Sequence, residues 1–485
     1  MKPTAQTNNM SNAYEHSEDN YLEFFSKAGS LLEKRQSYYG NEASALELFK
    51  NAWRAGDNVL CMQLLMWLRD IRGGAGNRSG FRSIIHWIGE QYPEWIIANI
   101  DMIPQVGRWD DLKALYDTEA ENAALEVWAK GLVTPSTMGL AAKWADRQDS
   151  KFRKFLGMSP KAYRKMLVEK TKVVEQQMCA GKWEEINYNQ VPSVASTRYH
   201  KAFLAHDKDR YNEWKMSLAK PTAETGNKVN VGAIYPHDLI RSVNANCSSD
   251  YYRKEVTADE SFRVLVNRQL QDMKNFIPEG QRIMCIADSS ASMNIKVSGS
   301  ISAMDISKGL SLYCSEKVGK DNPFYRKYIP FSSVAQLFSW EDMDFVDAVF
   351  KGFDGEVAST NIRSAFICLL EAAKFFNATK DQMPTTILII SDMQFDHGGC
   401  SDRTPVQDCI DEWVKAGYDA PKIVYWNTAG YMNQPATVFD KNVAMVSGFS
   451  PSVLEAILGG EDFSPMAVLR KAVEKYSINV PEKVE

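Results

Sequence analysis

Asp288-Ser289-Ser290-Ala291-Ser292 puts one carboxylate and two hydroxyls at alternate positions on the same side of a tight turn. The apolar run Arg282–Ala287 before it reads as a strand, so the cluster sits where that strand stops. Hard oxygen donors of this kind suit Mg2+ (or Mn2+), which takes oxygens in octahedral geometry and keeps some of its water. Two more pieces follow in order. Thr360 lies in Ser359-Thr360-Asn361, just ahead of the helix-like Ile362–Phe376, and Asp392 ends a second buried-strand run, Thr386–Ser391. Singly, each piece favours ordinary structure: a Ser-rich turn capping a helix, a lone carboxylate at a strand end. Together they predict a cation site built from Asp288, Ser290, Ser292, Thr360 and Asp392.

The elements that must hold this site change character along the chain. Residues 20–277 read as short helices with polar breaks and almost no two-residue alternation. Asp57–Arg72 is representative: Leu60, Leu64, Trp67 and Leu68 build an apolar face, Asp57 is a natural N-cap, and Gly73-Gly74-Ala75-Gly76 stops the helix. Many short helices in tandem predict a HEAT-like α-solenoid. Pro278-Glu279-Gly280 marks the switch. Beyond it, strand-like runs (Ile283–Ala287, Tyr325–Phe331, Thr386–Ser391, Ile423–Trp426, Val443–Ser447) alternate with helical stretches. That alternation predicts a doubly wound, mostly parallel sheet over 281–485, and thus a multidomain α + α/β chain. Ligands in such sheets bind beyond the carboxyl ends of strands, where Asp288 and Asp392 both fall.

Bulk properties narrow the rest. At 485 residues the chain is long for one core. It has no apolar run long enough for a membrane span, so no membrane partner is expected. Residues 1–19 are polar and acidic, lack the pattern of a signal peptide, and read as a mobile tail. Eight Cys with no C-x-x-C pair point to reduced thiols and a cytoplasmic setting. The net charge of −5 hides a basic segment: residues 151–220 hold 15 basic and 7 acidic side chains. The densest part runs from Lys143 to Lys182. It includes Lys143, Arg147, Lys151, Arg153, Lys154, Lys161, Arg164, Lys165, Lys170 and Lys172, with Phe152, Phe155, Tyr163 and Trp183 interleaved. Cations neutralise phosphates and aromatics stack on unpaired bases, so this stretch is the RNA candidate. The plainer alternative is a solvated helix face whose aromatics point into the core.

The order strand with D-x-S-x-S, loop Thr, strand ending in Asp resembles the metal-ion-dependent adhesion site of von Willebrand factor A (vWA) domains. That resemblance implies that Ser290, Ser292 and Thr360 bind the metal directly or nearly so, while Asp288 and Asp392 hold its waters. The whole chain resembles the Ro ribonucleoprotein family, whose helical part is the TROVE module. The motifs are Arg69-Asp70-Ile71-Arg72-Gly73-Gly74-Ala75-Gly76-Asn77-Arg78 and Ile103-Pro104-Gln105-Val106-Gly107-Arg108-Trp109-Asp110-Asp111-Leu112. Lys182-Trp183-Glu184-Glu185-Ile186 and Val446-Ser447-Gly448-Phe449-Ser450-Pro451 are similar to a little-characterised branch found in phages, bacteria and some eukaryotes. The resemblance implies a helical ring or arc that binds small structured, misfolded or 3′-single-stranded RNA, closed by the vWA domain.

Three functions compete. The first is an RNA-binding scaffold whose metal recruits a protein partner through an acidic side chain. The second is a metal-dependent protein–protein adaptor without RNA. The third, a metal-dependent hydrolase, is weakest, because one cation among hydroxyls with no evident general base offers little chemistry. No enzyme activity is expected. Arg69, Arg72, Arg78 and Arg108 near the glycines could meet phosphates, but Arg–Asp pairs stabilising turns is the preferred reading.

Overall fold

The structure, a computed structural model, describes residues 4–7, 10–14, 16–31, 44–147, 150–171, 173–232, 234–250, 255–353, 360–396, 404–430, 435–437, 442–459 and 463–482. Before residue 280 the described chain is helical apart from two short antiparallel pairs: β1 (Ala5–Gln6) with β2 (Asn12–Ala13), and β3 (Ser248–Asp250) with β4 (Glu255–Thr257). The helices begin as their caps dictate. Asp57 accepts from the Leu60 N–H at 2.9 Å and starts Asn58–Arg69. That helix ends three residues earlier than its apolar pattern implies, because the Asp70 carboxylate turns back to accept the Arg72 and Gly73 N–H groups.

After residue 280 the strands are β5 (Ile283–Asp288), the small hairpin β6 (Lys296–Ser298) and β7 (Ile301–Ser302), β8 (Lys327–Phe331), β9 (Phe338–Ser339), β10 (Thr386–Ser391), β11 (Lys422–Asn427) and β12 (Val443–Ser447). Six of them form one sheet in the order β12-β11-β10-β5-β8-β9, parallel throughout except for β9 at the edge. The residues of β5, β10, β11 and β12 are buried on both faces apart from half-buried Lys422 and Val443, as the unbroken apolar runs require. The chain leaves β5 for β8 on one side, then returns to β10 on the other. Right-handed crossovers therefore put the helices Ala303–Lys317 and Ile362–Phe375 on opposite faces. The reversal leaves a crevice beyond the carboxyl ends of β5 and β10, the preferred ligand position in such sheets.

Packing does not follow the boundary at 278–280. Helix Asn20–Lys27 and the turn after it lie against the β12 edge. Ser447 Oγ donates to the Phe25 carbonyl (2.7 Å) and accepts the Gly29 N–H (3.0 Å), while Ser30 Oγ donates to the Asn427 carbonyl (2.6 Å) and accepts the Gly448 N–H (3.0 Å). At the far end of the chain, Tyr476 OH donates to Asp70 (2.7 Å) and the Asn479 N–H to Asn99 (2.8 Å). The expectation of a mobile tail at 1–19 is corrected. β1 and β2 pair, Ala13, Tyr14 and Ser17 are buried, and Thr7 Oγ donates to the Phe395 carbonyl at 2.7 Å. Low apolar content concealed this, because the segment is held by backbone pairing and hydroxyls rather than by a greasy face.

Helix Pro236–Asn246 crosses helix Ala303–Lys317 at Gly309, where an added Cβ would lie 2.7 Å from the His237 backbone nitrogen. Gly309→Ala should therefore lower stability by about 1–3 kcal/mol in urea unfolding, despite the gain in helix propensity of about 1 kcal/mol. An unchanged or raised midpoint would show that the two helices can separate freely.

Candidate functional site

Asp288, Ser290, Thr360 and Asp392 are all buried at the β5/β10 crevice. The pairing Ile390↔Ala287 sets β10 beside β5 so that Ser391 Oγ donates to Asp288 Oδ2 at 2.6 Å. The other carboxylate oxygen, Oδ1, accepts the Ser290 N–H at 2.9 Å, which folds the turn back over the strand end. Ser290 Oγ and Ser292 Oγ lie 3.1 Å apart, so the alternate hydroxyls do share one side. Ser289 anchors the turn outward, donating from N–H and Oγ to the Phe331 carbonyl at 2.8 and 2.9 Å. Thr360 is laced to the loop after β10: its N–H donates to Asp396 Oδ2 (2.9 Å) and its carbonyl accepts the Asp396 N–H (3.0 Å). Asp396 is thus a positioning residue. Its neighbour His397, like Ser359, lies outside the described residues.

Burial pushes the Asp288 carboxyl up to about 7, and the nearby Asp392 charge adds to the rise; the Ser290 and Ser391 hydrogen bonds oppose it. Two buried carboxylates that repel each other beside three hydroxyls are a donor set for a hard cation, whose charge relieves the repulsion. Among the described residues no group of three or more His, Cys, Asp or Glu side chains gathers as a metal site, so a soft transition-metal centre has no counterpart there.

The basic stretch divides. Lys143 pairs with Glu175 (3.3 Å), Lys151 with Asp117 and Glu121 (2.5 and 2.6 Å), and Lys170 donates to the Leu132 carbonyl (2.9 Å). Arg153 donates to the Met158 carbonyl (2.8 Å). Arg147, Lys154, Lys161, Arg164 and Lys165 are exposed, the last three on helix Pro160–Lys170. Lys172 lies outside the described residues. Of the interleaved aromatics, Phe152 and Tyr163 are buried, Trp183 stacks on His206 at 4.3 Å, and Phe155 is 41% exposed.

A second charged cluster links the two glycine–arginine motifs. Buried Asp111 accepts from Arg69 Nε (2.8 Å), Arg82 Nε (2.7 Å) and the Arg108 N–H (2.8 Å). Asp110 binds Arg108 through two hydrogen bonds of 2.9 and 2.7 Å and lies 2.8 Å from Arg82 Nη2. The Arg108 guanidinium covers the Trp144 ring at 3.9 Å. The turn-stabilising reading describes Arg69 and Arg108. Arg82 escaped sequence reasoning; its one signal is a place one helical turn after Arg78.

Residues 7–118 and 142–281 match the family described as Domain of unknown function (DUF2828), over more than half of the chain. The chain belongs to that family. Residues 282–483 match a second one, Domain of unknown function (DUF7788). "Uncharacterized protein L728" of Acanthamoeba polyphaga mimivirus is 24% identical over 496 residues, spanning 90% of this chain and 82% of its own length. Among solved structures, the crystal structure of the Deinococcus radiodurans RO (RSR) protein aligns over 95% of this chain and 100% of that one, at 12% identity and a TM-score of 0.47.

Since the folded Asp288 carboxyl titrates above its ordinary value of 3.8, its contribution to metal-free stability is fully present below about pH 4 and is lost as pH rises through about 7. A cation competes with that proton. Magnesium should thus raise the melting temperature by about 3 °C near pH 8 and by much less near pH 5. Asp288→Asn should melt no lower than wild type without metal and ignore magnesium. A magnesium increment independent of pH, or retained in the variant, would place the ion elsewhere.

Proposed function

We propose that this chain is an RNA-binding scaffold of the Ro type, with a HEAT-like, TROVE-type helical body and a vWA-type α/β domain. In this reading Ser290, Ser292 and Thr360 hold Mg2+ or Mn2+ directly, and Asp288 and Asp392 hold its waters. The observation that supports the reading is the pair of buried carboxylates, Asp288 and Asp392, at the reversal point of the parallel sheet, with the Ser290 and Ser292 hydroxyls on one side of the adjoining turn. A cation held mainly by neutral hydroxyls keeps net positive charge, so it can complete its shell with a carboxylate from a protein partner. The RNA part rests on the motifs shared with Ro proteins and on the exposed Arg147, Lys154, Lys161, Arg164 and Lys165. The working mode is binding rather than turnover. No helix among the described residues is long and apolar enough to cross a membrane.

A second reading, a metal-dependent protein adaptor without RNA, draws support from the same surface. Lys143, Lys151 and Lys170 are occupied within the protein, and Phe152 and Tyr163 point into the core. Fluorescence anisotropy with a structured RNA carrying a single-stranded 3′ end separates the two. RNA binding should weaken by about a hundredfold or more between about 50 and 200 mM salt. Reversing Lys154, Lys161 and Lys165 to Glu should weaken it at least about tenfold and flatten the salt slope by about 3, with the fold intact by circular dichroism. Wild type indifferent to RNA, yet retaining a protein in a magnesium-dependent pull-down, selects the adaptor.

A further inference from the structure

The arginines of the two glycine-rich motifs do more than brace turns. Four guanidinium groups (Arg69, Arg78, Arg82 and Arg108) gather about two carboxylates, Asp110 and Asp111, leaving an excess of two positive charges. Both carboxylates are already occupied by Arg69, Arg82 and Arg108. Arg78 is exposed and makes no hydrogen bond or ion pair with the described residues. Burial of part of its length and then the charges of Arg108, Arg69 and Arg82 pull its proton affinity below the ordinary guanidinium range, with Asp111 opposing.

Two independent features point to a ligand. Arg69 is 1% exposed, yet its Nη2 has no hydrogen-bond partner. The nearby Tyr235 hydroxyl, which feels the Arg69 charge, is likewise buried without one. A buried donor left unmade costs about 1–3 kcal/mol, so such groups call for an acceptor. Gly76, at φ +77°, packs directly against that hydroxyl, since a Cβ there would lie 2.5 Å from the Tyr235 oxygen. The second feature is Arg78 itself, which opens helix Arg78–Gln91 and has no carboxylate partner among the described residues, while the Asn77 cap of that helix already accepts the Gly80 N–H at 3.0 Å. Arg78 and Arg82 stand one turn apart on that helix, and of the two only Arg82 is paired with carboxylates, Asp110 and Asp111.

We propose that Arg69, Arg78, Arg82 and Arg108 form a phosphate-binding site beside Tyr235. A tetrahedral oxyanion presents three or four acceptor oxygens in different directions and so can take several guanidinium forks at once. The phosphate is either a free phosphate group or the backbone of a nucleic acid. The site does not rest on the RNA reading, which concerns the surface around helix Pro160–Lys170.

The test is calorimetric titration of the full chain with inorganic phosphate, alongside melting in phosphate and in chloride of equal ionic strength. Phosphate should bind and should raise the melting temperature beyond chloride. Arg78→Glu and the milder Arg78→Gln should weaken phosphate binding by about tenfold or more. Because Arg78 has no partner to lose, both should melt within about 2 °C of wild type in chloride. Lys320→Glu, an exposed charge reversal elsewhere, should bind phosphate as wild type does. A short single-stranded RNA that displaces phosphate identifies a nucleic-acid backbone as the source; failure to displace it identifies a free phosphate. Either result supports the site. Phosphate stabilising no more than chloride, or binding unchanged in both Arg78 variants, overturns it.

Discussion

The edge of the parallel sheet is the constraint on which the rest of the molecule depends. β12 ends the sheet, and an exposed edge offers unpaired backbone groups to any passing strand. Here the helix Asn20–Lys27 and its following turn cover it, through hydroxyls of Ser30 and Ser447 that each donate once and accept once. Gly448, at φ +104°, lets the chain leave β12 against Ala75, and the Phe449 N–H donates to the Ala75 carbonyl at 3.2 Å. Asn77 joins the same knot by donating to the Ala28 and Leu31 carbonyls. One seam therefore fixes the sheet, the first helix and the glycine-rich turn that precedes Arg78.

The seam sets two sites of opposite character within one protein. At the β5/β10 crevice negative charge is buried in excess: Asp288 and Asp392 raise each other's cost, and the neighbouring groups are mostly hydroxyls. Across Asp110 and Asp111 the excess is positive. Neither arrangement is a way to gain stability alone, because burying like charges is unfavourable. In the readings proposed above, a cation at the first and an anion at the second completes the charge balance.

Much of the α/β half was legible in the sequence, because strands buried on both faces are written as unbroken apolar runs. β5, β10 and β12 fall where Ile283–Ala287, Thr386–Ser391 and Val443–Ser447 place them. Asp288 and Asp392 were legible as strand ends for that reason. Their partnership needed the strand order, which no local pattern encodes. Ser391 as a donor to Asp288 and Asp396 as a clamp on Thr360 were likewise invisible, since each contact joins distant parts of the chain. The basic stretch shows a different failure of pattern: charge density reads directly, but Phe152 and Tyr163 face inward while Phe155 faces out, and that depends on packing. The Arg69–Asp111 pair spans 42 positions, so the two motifs looked like separate turns.

The seam also carries a kinetic consequence. Gly29 and Ser447 touch across a separation of 418 residues. During synthesis the first helix emerges long before its resting place exists, and at common translation speeds the wait is about 20–80 s. Phe24 and Phe25, both fully buried, do not share that wait, because they meet Phe49 (5.6 Å) and Trp67 (4.4 Å) on helices made soon after them. Capture of the Gly29–Ser30 turn by β12 is therefore a late step, while the aromatic face of helix Asn20–Lys27 can dock on its helical neighbours before it.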